Sequence, residues 1–151
     1  MPNSTQIRNV NVIDVDGGIV QSNHDVLIRD GRIADVSRFI VWDADQSIEA
    51  GGAYLFPGLI DCHVHLFLDA GDNPRSSFLE SGDEAKLRTA RANALKAIRA
   101  GITTVRDCGA PHHLIFGFQR AVARGEILGP RIITCGSPLT RPKGHPHFFR
   151  Y

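Results

Sequence analysis

FPGLIDCHVH, residues 56–65, is the stretch that decides the fold. A Pro-Gly entry leads into a short apolar run that reads as a strand, and the run ends in two histidines separated by one valine. In a strand, residues i and i+2 point to one face about 6.6 Å apart. His63 and His65 therefore share a face, with Leu59 and Asp61 lower down on it. Ile60, Cys62 and Val64 point the other way and are expected to pack under helices. Imidazole nitrogens bind Zn²⁺ at about 2.0–2.1 Å. Two neighbouring rings at the tip of an otherwise apolar strand thus point to a metal site. A bare H-x-H also arises by chance. What sets this one apart is its Pro-Gly entry, its apolar strand and the pattern that follows.

Downstream, strands and helices alternate. Leu66 to Gly82 reads as a polar loop. Ser81-Gly82-Asp83-Glu84 matches a capping box, in which Ser81 and Glu84 would satisfy each other's backbone amides. A helix then runs to Ala100, with Ala94, Leu95, Ala97 and Ile98 towards its buried side, and Gly101 stops it. Ile102 to Arg106 is strand-like because β-branched residues suit a pleated surface. Pro111 to Arg124 reads as a second helix and Arg131 to Cys135 as a third strand. Strands alternating with helices argue for βαβ units and a parallel sheet.

Upstream, the chain reads as a small antiparallel β unit. Gln6 to Val15 alternates apolar and polar residues, His24 to Arg29 and Arg32 to Val36 are strands, and short strands follow at Ser47–Ala50 and Tyr54–Phe56. Asp30-Gly31 is a type I′ hairpin signal, because both central residues of that turn need φ > 0. Residues 1–56 thus form an N-terminal β portion. Residues 57–151 begin a second, α/β domain with about three βα repeats, where a (β/α)₈ barrel typically needs about 250 residues in all. Met1 reads as a natural start, so the missing repeats are expected on the C-terminal side.

Composition excludes several classes. There are 17 Lys and Arg against 16 Asp and Glu, a net charge of +1, and no basic block. Nothing suggests nucleic acid or an anionic membrane as partner. Residues 1–16 lack the basic and apolar regions of a secretory signal, and no apolar run approaches a membrane span of about 18 residues. Three cysteines without C-x-x-C spacing favour reduced thiols in the cytoplasm over a disulfide framework. Cys62 and Cys108 read as small buried apolar residues.

LFPGLIDCHVHLFLDAG resembles the first barrel strand of the metal-dependent amidohydrolase superfamily. GITTVRDCGA resembles its second strand, and GPRIITCGSPLTRPKGHPHFF the third strand and loop of the imidazolonepropionase-like and prolidase-like branch. The resemblance implies a TIM barrel preceded by a small β-sandwich portion. It also implies hydrolysis of C–N bonds (amide, cyclic amide or dipeptide-like) by metal-activated water. It makes His63 and His65 ligands of a divalent metal, with zinc foremost. The family's remaining ligands and its catalytic Asp come from later strands, and no position here corresponds to them. A histidine in the third loop contacts substrate in the resembled branch, and His145 is the better match. The motif departs from the branch's glycine-rich form, because Pro146 and His147 intrude.

Other residues carry weaker readings. Asp61 either orients a ligand or is a structural acid. Arg106 and Asp107 read as a structural ion pair. His145 and His147 joining His63 and His65 in a four-histidine site is a second, less favoured reading. His112 and His113 open a helix at the surface, and His24 is a surface strand residue. Two functions follow. One is the N-terminal part of a metal-dependent hydrolase, acting on a small-molecule or peptide-like substrate. The other is a non-catalytic remnant or interaction module. An open three-strand sheet leaves free edges and an uncovered apolar face, which invites a homo-oligomer.

Overall fold

The computed structural model describes residues 3–141 and residue 144. It divides into two compact units whose boundary lies between Pro57 and Gly58.

The first unit is a single sheet of β1 (Ser4–Asp14), β2 (Ile19–Arg29), β3 (Arg32–Ser37), β4 (Gln46–Glu49) and β5 (Tyr54–Leu55). Its order is β3-β2-β1-β4, with β5 also on β1. The Asp30-Gly31 turn takes the expected conformation, with φ of 50° and 72°. The sheet is mixed and not purely antiparallel, because β4 and β5 run parallel to β1. Val10, Val26, Leu27 and Ile40 are buried there. Buried among them is the carboxylate of Asp25. It accepts from the Asn9 and Ile40 amides and from Gln6 Nε2. Asn9 sits at φ 53°, where the β1–β2 register shifts. Asp25 therefore satisfies an amide that the irregular ladder leaves over.

The second unit holds three parallel strands, β6 (Leu59–Val64), β7 (Ile102–Asp107) and β8 (Arg131–Thr134), in that order across the sheet. Helix α2 (Asp83–Arg99) connects β6 to β7, and α3 (His112–Ala123) connects β7 to β8. Parallel neighbours need such crossovers, since no hairpin can join them. Ala90 and Ala94 are fully buried, and their small side chains let α2 lie close against the sheet. Val105 and Ile132 from the strands, Ile115 and Phe118 from α3, and Leu66 and Phe67 complete the core. Phe67 meets Phe118 edge to face at 5.7 Å.

Two local expectations are corrected. The segment read as loop contains α1 (Pro74–Glu80), capped by Asn73, whose side chain accepts from the Ser76 amide, with Pro74 in its first turn. Its Phe78 is buried. The capping box does not form. Gly82 is the N-cap of α2 without a side-chain bond, and Ser81 Oγ donates back to the Ser77 carbonyl at 2.6 Å. Ser81 thus ends α1, and Glu84 pairs instead with Arg88 one turn on.

The Pro-Gly entry has a steric cause. A Cβ on Gly58 would lie 2.0 Å from Thr103 Oγ1 and 2.7 Å from Thr103 Cβ. Only glycine lets β6 start this close to β7.

Candidate functional site

Strand register decides which side chains reach the site. Asp61 pairs with Val105, but Val64 pairs with Asp107, so β6 has one residue more than β7 between these points. This is a β-bulge. The Asp61 carboxylate accepts the His63 amide at 3.0 Å inside it, a local turn of the kind Asp readily makes. The bulge resets the alternation. Asp61 and Val64 both line a cavity of about 390 Å³ with Asn93 and Ala97 of α2. His65 lines the same cavity, so Asp61 stays beside one of the two histidines. Ile60 is 65% exposed and Cys62 is exposed too, so neither packs under a helix. Of the three residues expected there, Val64 alone packs against the core.

His63 and His65 remain side by side. Their ring centroids are 5.4 Å apart with planes at 76°. The ring of His65 is also oriented. Its Nδ1 lies 3.0 Å from the Gly109 carbonyl. A carbonyl only accepts, so Nδ1 carries the proton and Nε2 carries the lone pair. A histidine ligand is typically held through its other nitrogen in this way. The two residues present thus fit a divalent metal as its first two donors. Among the described residues no group of three or more His, Cys, Asp or Glu converges on one ion.

Asp107, read above as half of an ion pair with Arg106, is a fully buried acid with another task. Its Oδ2 accepts the Leu66 amide at 2.9 Å and its Oδ1 the Gly109 amide at 3.0 Å. Leu66 follows His65 in the chain, and Gly109 holds the His65 ring. One carboxylate thus ties the backbone of the first histidine loop to the group that orients the histidine. Burial pushes the Asp107 carboxyl above its ordinary value, against the two amide bonds and the nearby His65. Asn93 of α2 holds the same loop from the opposite side. Its Nδ2 donates to the Leu66 and Leu68 carbonyls at 2.9 and 2.8 Å. Neither role was read from the sequence. The signal for Asp107 was its place at the end of a β-branched strand, two residues before Gly109.

Arg106 faces the other way and is exposed. Its Nε donates to the Cys62 carbonyl at 2.7 Å. Cys62 is thus a surface residue, which corrects the reading of it as a core filler, while Cys108 is half-buried. His112 and His113 are exposed on the first turn of α3, as expected. His113 Nε2 lies 3.1 Å from both carboxylate oxygens of Asp83 at the start of α2. His145 and His147 lie outside the described residues. No helix among the described residues is long and apolar enough to cross a membrane.

Comparison with known proteins bears on the family and the fold. The model of the amidohydrolase family matches residues 54–149. A dihydroorotase from Bacillus cereus (strain G9842) is 34% identical over 105 residues, which are 70% of this chain and 21% of that protein. A prolidase solved with N-methylphosphonate-L-proline superposes with a TM-score of 0.81 at 27% identity, covering 94% of this chain and 34% of that one. An Xaa-Pro dipeptidase with methionine in its active site gives 0.75 at 26% identity, covering 89% and 33%. The chain therefore spans about a fifth of the curated relative and about a third of each solved neighbour. The fold is the expected one, an α/β part of a TIM barrel preceded by a small β portion.

Proposed function

The chain belongs to the amidohydrolase family, and from that premise we propose that it carries the first two metal ligands of a hydrolase acting on carbon–nitrogen bonds. The observation that carries this reading is the orientation of His65. With Nδ1 donating to Gly109, Nε2 is left to carry the lone pair, and the ring centroids of His65 and His63 lie 5.4 Å apart.

His63 and His65 would hold a divalent cation, zinc foremost. Bound there, the cation supplies Lewis acidity, which lowers the pKa of water and polarises a carbonyl. The chain's own residues prepare that place. Gly109 keeps the His65 proton on Nδ1, while Asp107 and Asn93 keep the loop after His65 from moving. The Asp61 carboxylate, through the His63 amide, sets the bulge that brings both rings to one face.

The substrate is a small molecule or peptide-like compound with an amide, cyclic amide or dipeptide-like bond, a class supported by the likeness to a prolidase and an Xaa-Pro dipeptidase. His145 is the residue of the third loop proposed to meet it. Three free cysteines fit a cytoplasmic setting, and the uncovered sheet face fits a homo-oligomer. Two histidines are fewer than the three or four protein ligands of ordinary zinc sites. His63 and His65 are therefore proposed as part of a donor set and not as the whole of it.

Calorimetric titration with Zn²⁺ tests the reading. One ion per chain is expected, with binding lost in the His63→Ala, His65→Ala double variant while far-UV circular dichroism is unchanged. Equal binding by the double variant would overturn it.

A further inference from the structure

We infer that Arg106 is a positioning residue for His63. Together with Asp61 it grips the one peptide that joins Cys62 to His63, and so fixes the direction in which the His63 side chain leaves β6. The inference rests on the reading of His63 as a metal ligand, and adds to it a residue that acts through the backbone.

The strand register carries it. Asp61 pairs with Val105, and Val64 with Asp107. Between these points β6 supplies Cys62 and His63, whereas β7 supplies Arg106 alone. Arg106 is thus the residue that stands opposite the bulge, and neither bulge residue has a partner in the β6–β7 register. The Cys62 carbonyl and the His63 amide belong to the same peptide, and the ladder leaves both over. Two side chains take them up. Asp61 Oδ1 accepts the His63 amide at 3.0 Å, and Arg106 Nε donates to the Cys62 carbonyl at 2.7 Å. A guanidinium donor makes a charge-assisted bond, shorter and stronger than one between neutral groups. The Cys108 thiol, 3.7 Å from the same oxygen, is a weaker second donor.

Geometry turns the two bonds into one constraint. A trans peptide is planar, with its oxygen and its N–H on opposite sides. A bond at one end alone lets the plane rock about the line between the two Cα atoms. Bonds at both ends oppose that rocking. The tilt of the plane sets the φ angle of His63, and with it the direction of the Cα–Cβ bond. The two histidines are therefore supported differently. The Gly109 carbonyl holds the His65 ring itself, while Arg106 and Asp61 hold the backbone from which the His63 ring extends, 5.4 Å away.

Variants of the full chain matched atom for atom provide the test. Gln carries an N–H donor on Cδ, where Arg carries Nε, whereas Met fills similar space without a donor. In Arg106→Met without metal, hydrogen exchange at the His63 amide should accelerate, and cross-relaxation between the His63 and His65 ring protons should weaken. Its Zn²⁺ affinity by calorimetry should fall about tenfold, the low end of the loss typical when a group that orients a ligand is removed. Arg106→Gln should restore all three. Unchanged exchange and ring contact in Arg106→Met would overturn the assignment. So would a Gln variant that behaves like the Met variant, or an altered peptide with unaltered Zn²⁺ affinity. A parent chain that binds no Zn²⁺ would remove the metal reading instead, and the two metal-free measurements would then decide the role of Arg106 alone.

Discussion

Asp107 and His65 are coupled through a single glycine. Asp107 Oδ1 accepts the Gly109 amide at 3.0 Å, and the Gly109 carbonyl lies 3.0 Å from His65 Nδ1. Asp107→Ala removes the acceptor for two buried amides, each costing about 1–3 kcal/mol when left unpaired. A stability loss of roughly 2–6 kcal/mol is expected from chemical denaturation. Nitrogen NMR should show His65 purely as the Nδ1–H tautomer in the parent and as a tautomer mixture in the variant. A variant that keeps both the stability and the single tautomer would remove Asp107 from the positioning role.

Asn93 holds the same residue through its other backbone group. The Leu66 amide is held by Asp107 and the Leu66 carbonyl by Asn93. Asn93→Ala also frees the Leu68 carbonyl. At about 1 kcal/mol per bond, a loss of roughly 1–2 kcal/mol is expected. Hydrogen exchange at the Leu66 and Leu68 amides should accelerate more than exchange in β7. Uniform acceleration across the unit would show a general loss of packing instead.

Much of this arrangement was legible in the sequence, and the parts that were not share a cause. Periodicity and turn residues located the strands, α2 and α3, because each rule acts within a few residues. H-x-H spacing placed His63 and His65 on one face. The two rings do lie side by side, but the spacing does not contain the bulge between Asp61 and Val64 that interrupts the strand there. A bulge depends on how many residues the neighbouring strand supplies, which local pattern does not encode. Asp107 was misread for a similar reason. Beside Arg106 in the chain it suggests an ion pair, but successive strand residues face opposite ways, and its partners, Leu66 and Gly109, are set by tertiary structure. Helix α1 was readable in principle, from Asn73 at the cap and Pro74 behind it. The stronger Ser81–Glu84 pattern drew the helix start to the wrong side of Gly82.

Gly58 offers a steric test. Gly58→Ala places a methyl group against Thr103, whose own Cβ is fixed by the backbone and cannot swing away. Such overpacking costs about 1–3 kcal/mol. Thr103→Gly in the same chain should recover part of that loss. The double-mutant cycle should therefore show a coupling above about 0.5 kcal/mol. Additive losses would mean that Gly58 matters for its backbone conformation and not for its contact with Thr103.

Asp45 sets a pH dependence in the first unit. Its Oδ2 accepts from the Ser4 amide and hydroxyl at 2.8 and 2.9 Å. The Ser4 hydroxyl, first, and then the Ser4 amide hold the Asp45 carboxyl below its ordinary value. A depressed value in the folded state means that the unfolded chain takes up the proton first as acid is added. The contribution of Asp45 is therefore complete above the ordinary carboxylate value, and it is lost as pH falls through the depressed one. Melting temperatures of the parent and Asp45→Ala should differ at about pH 6 and converge at about pH 2. Because the group is solvent-exposed, the gap should also narrow in high salt. Parallel melting curves across that range would show that the Ser4 contacts do not distinguish the charged carboxylate from the neutral acid.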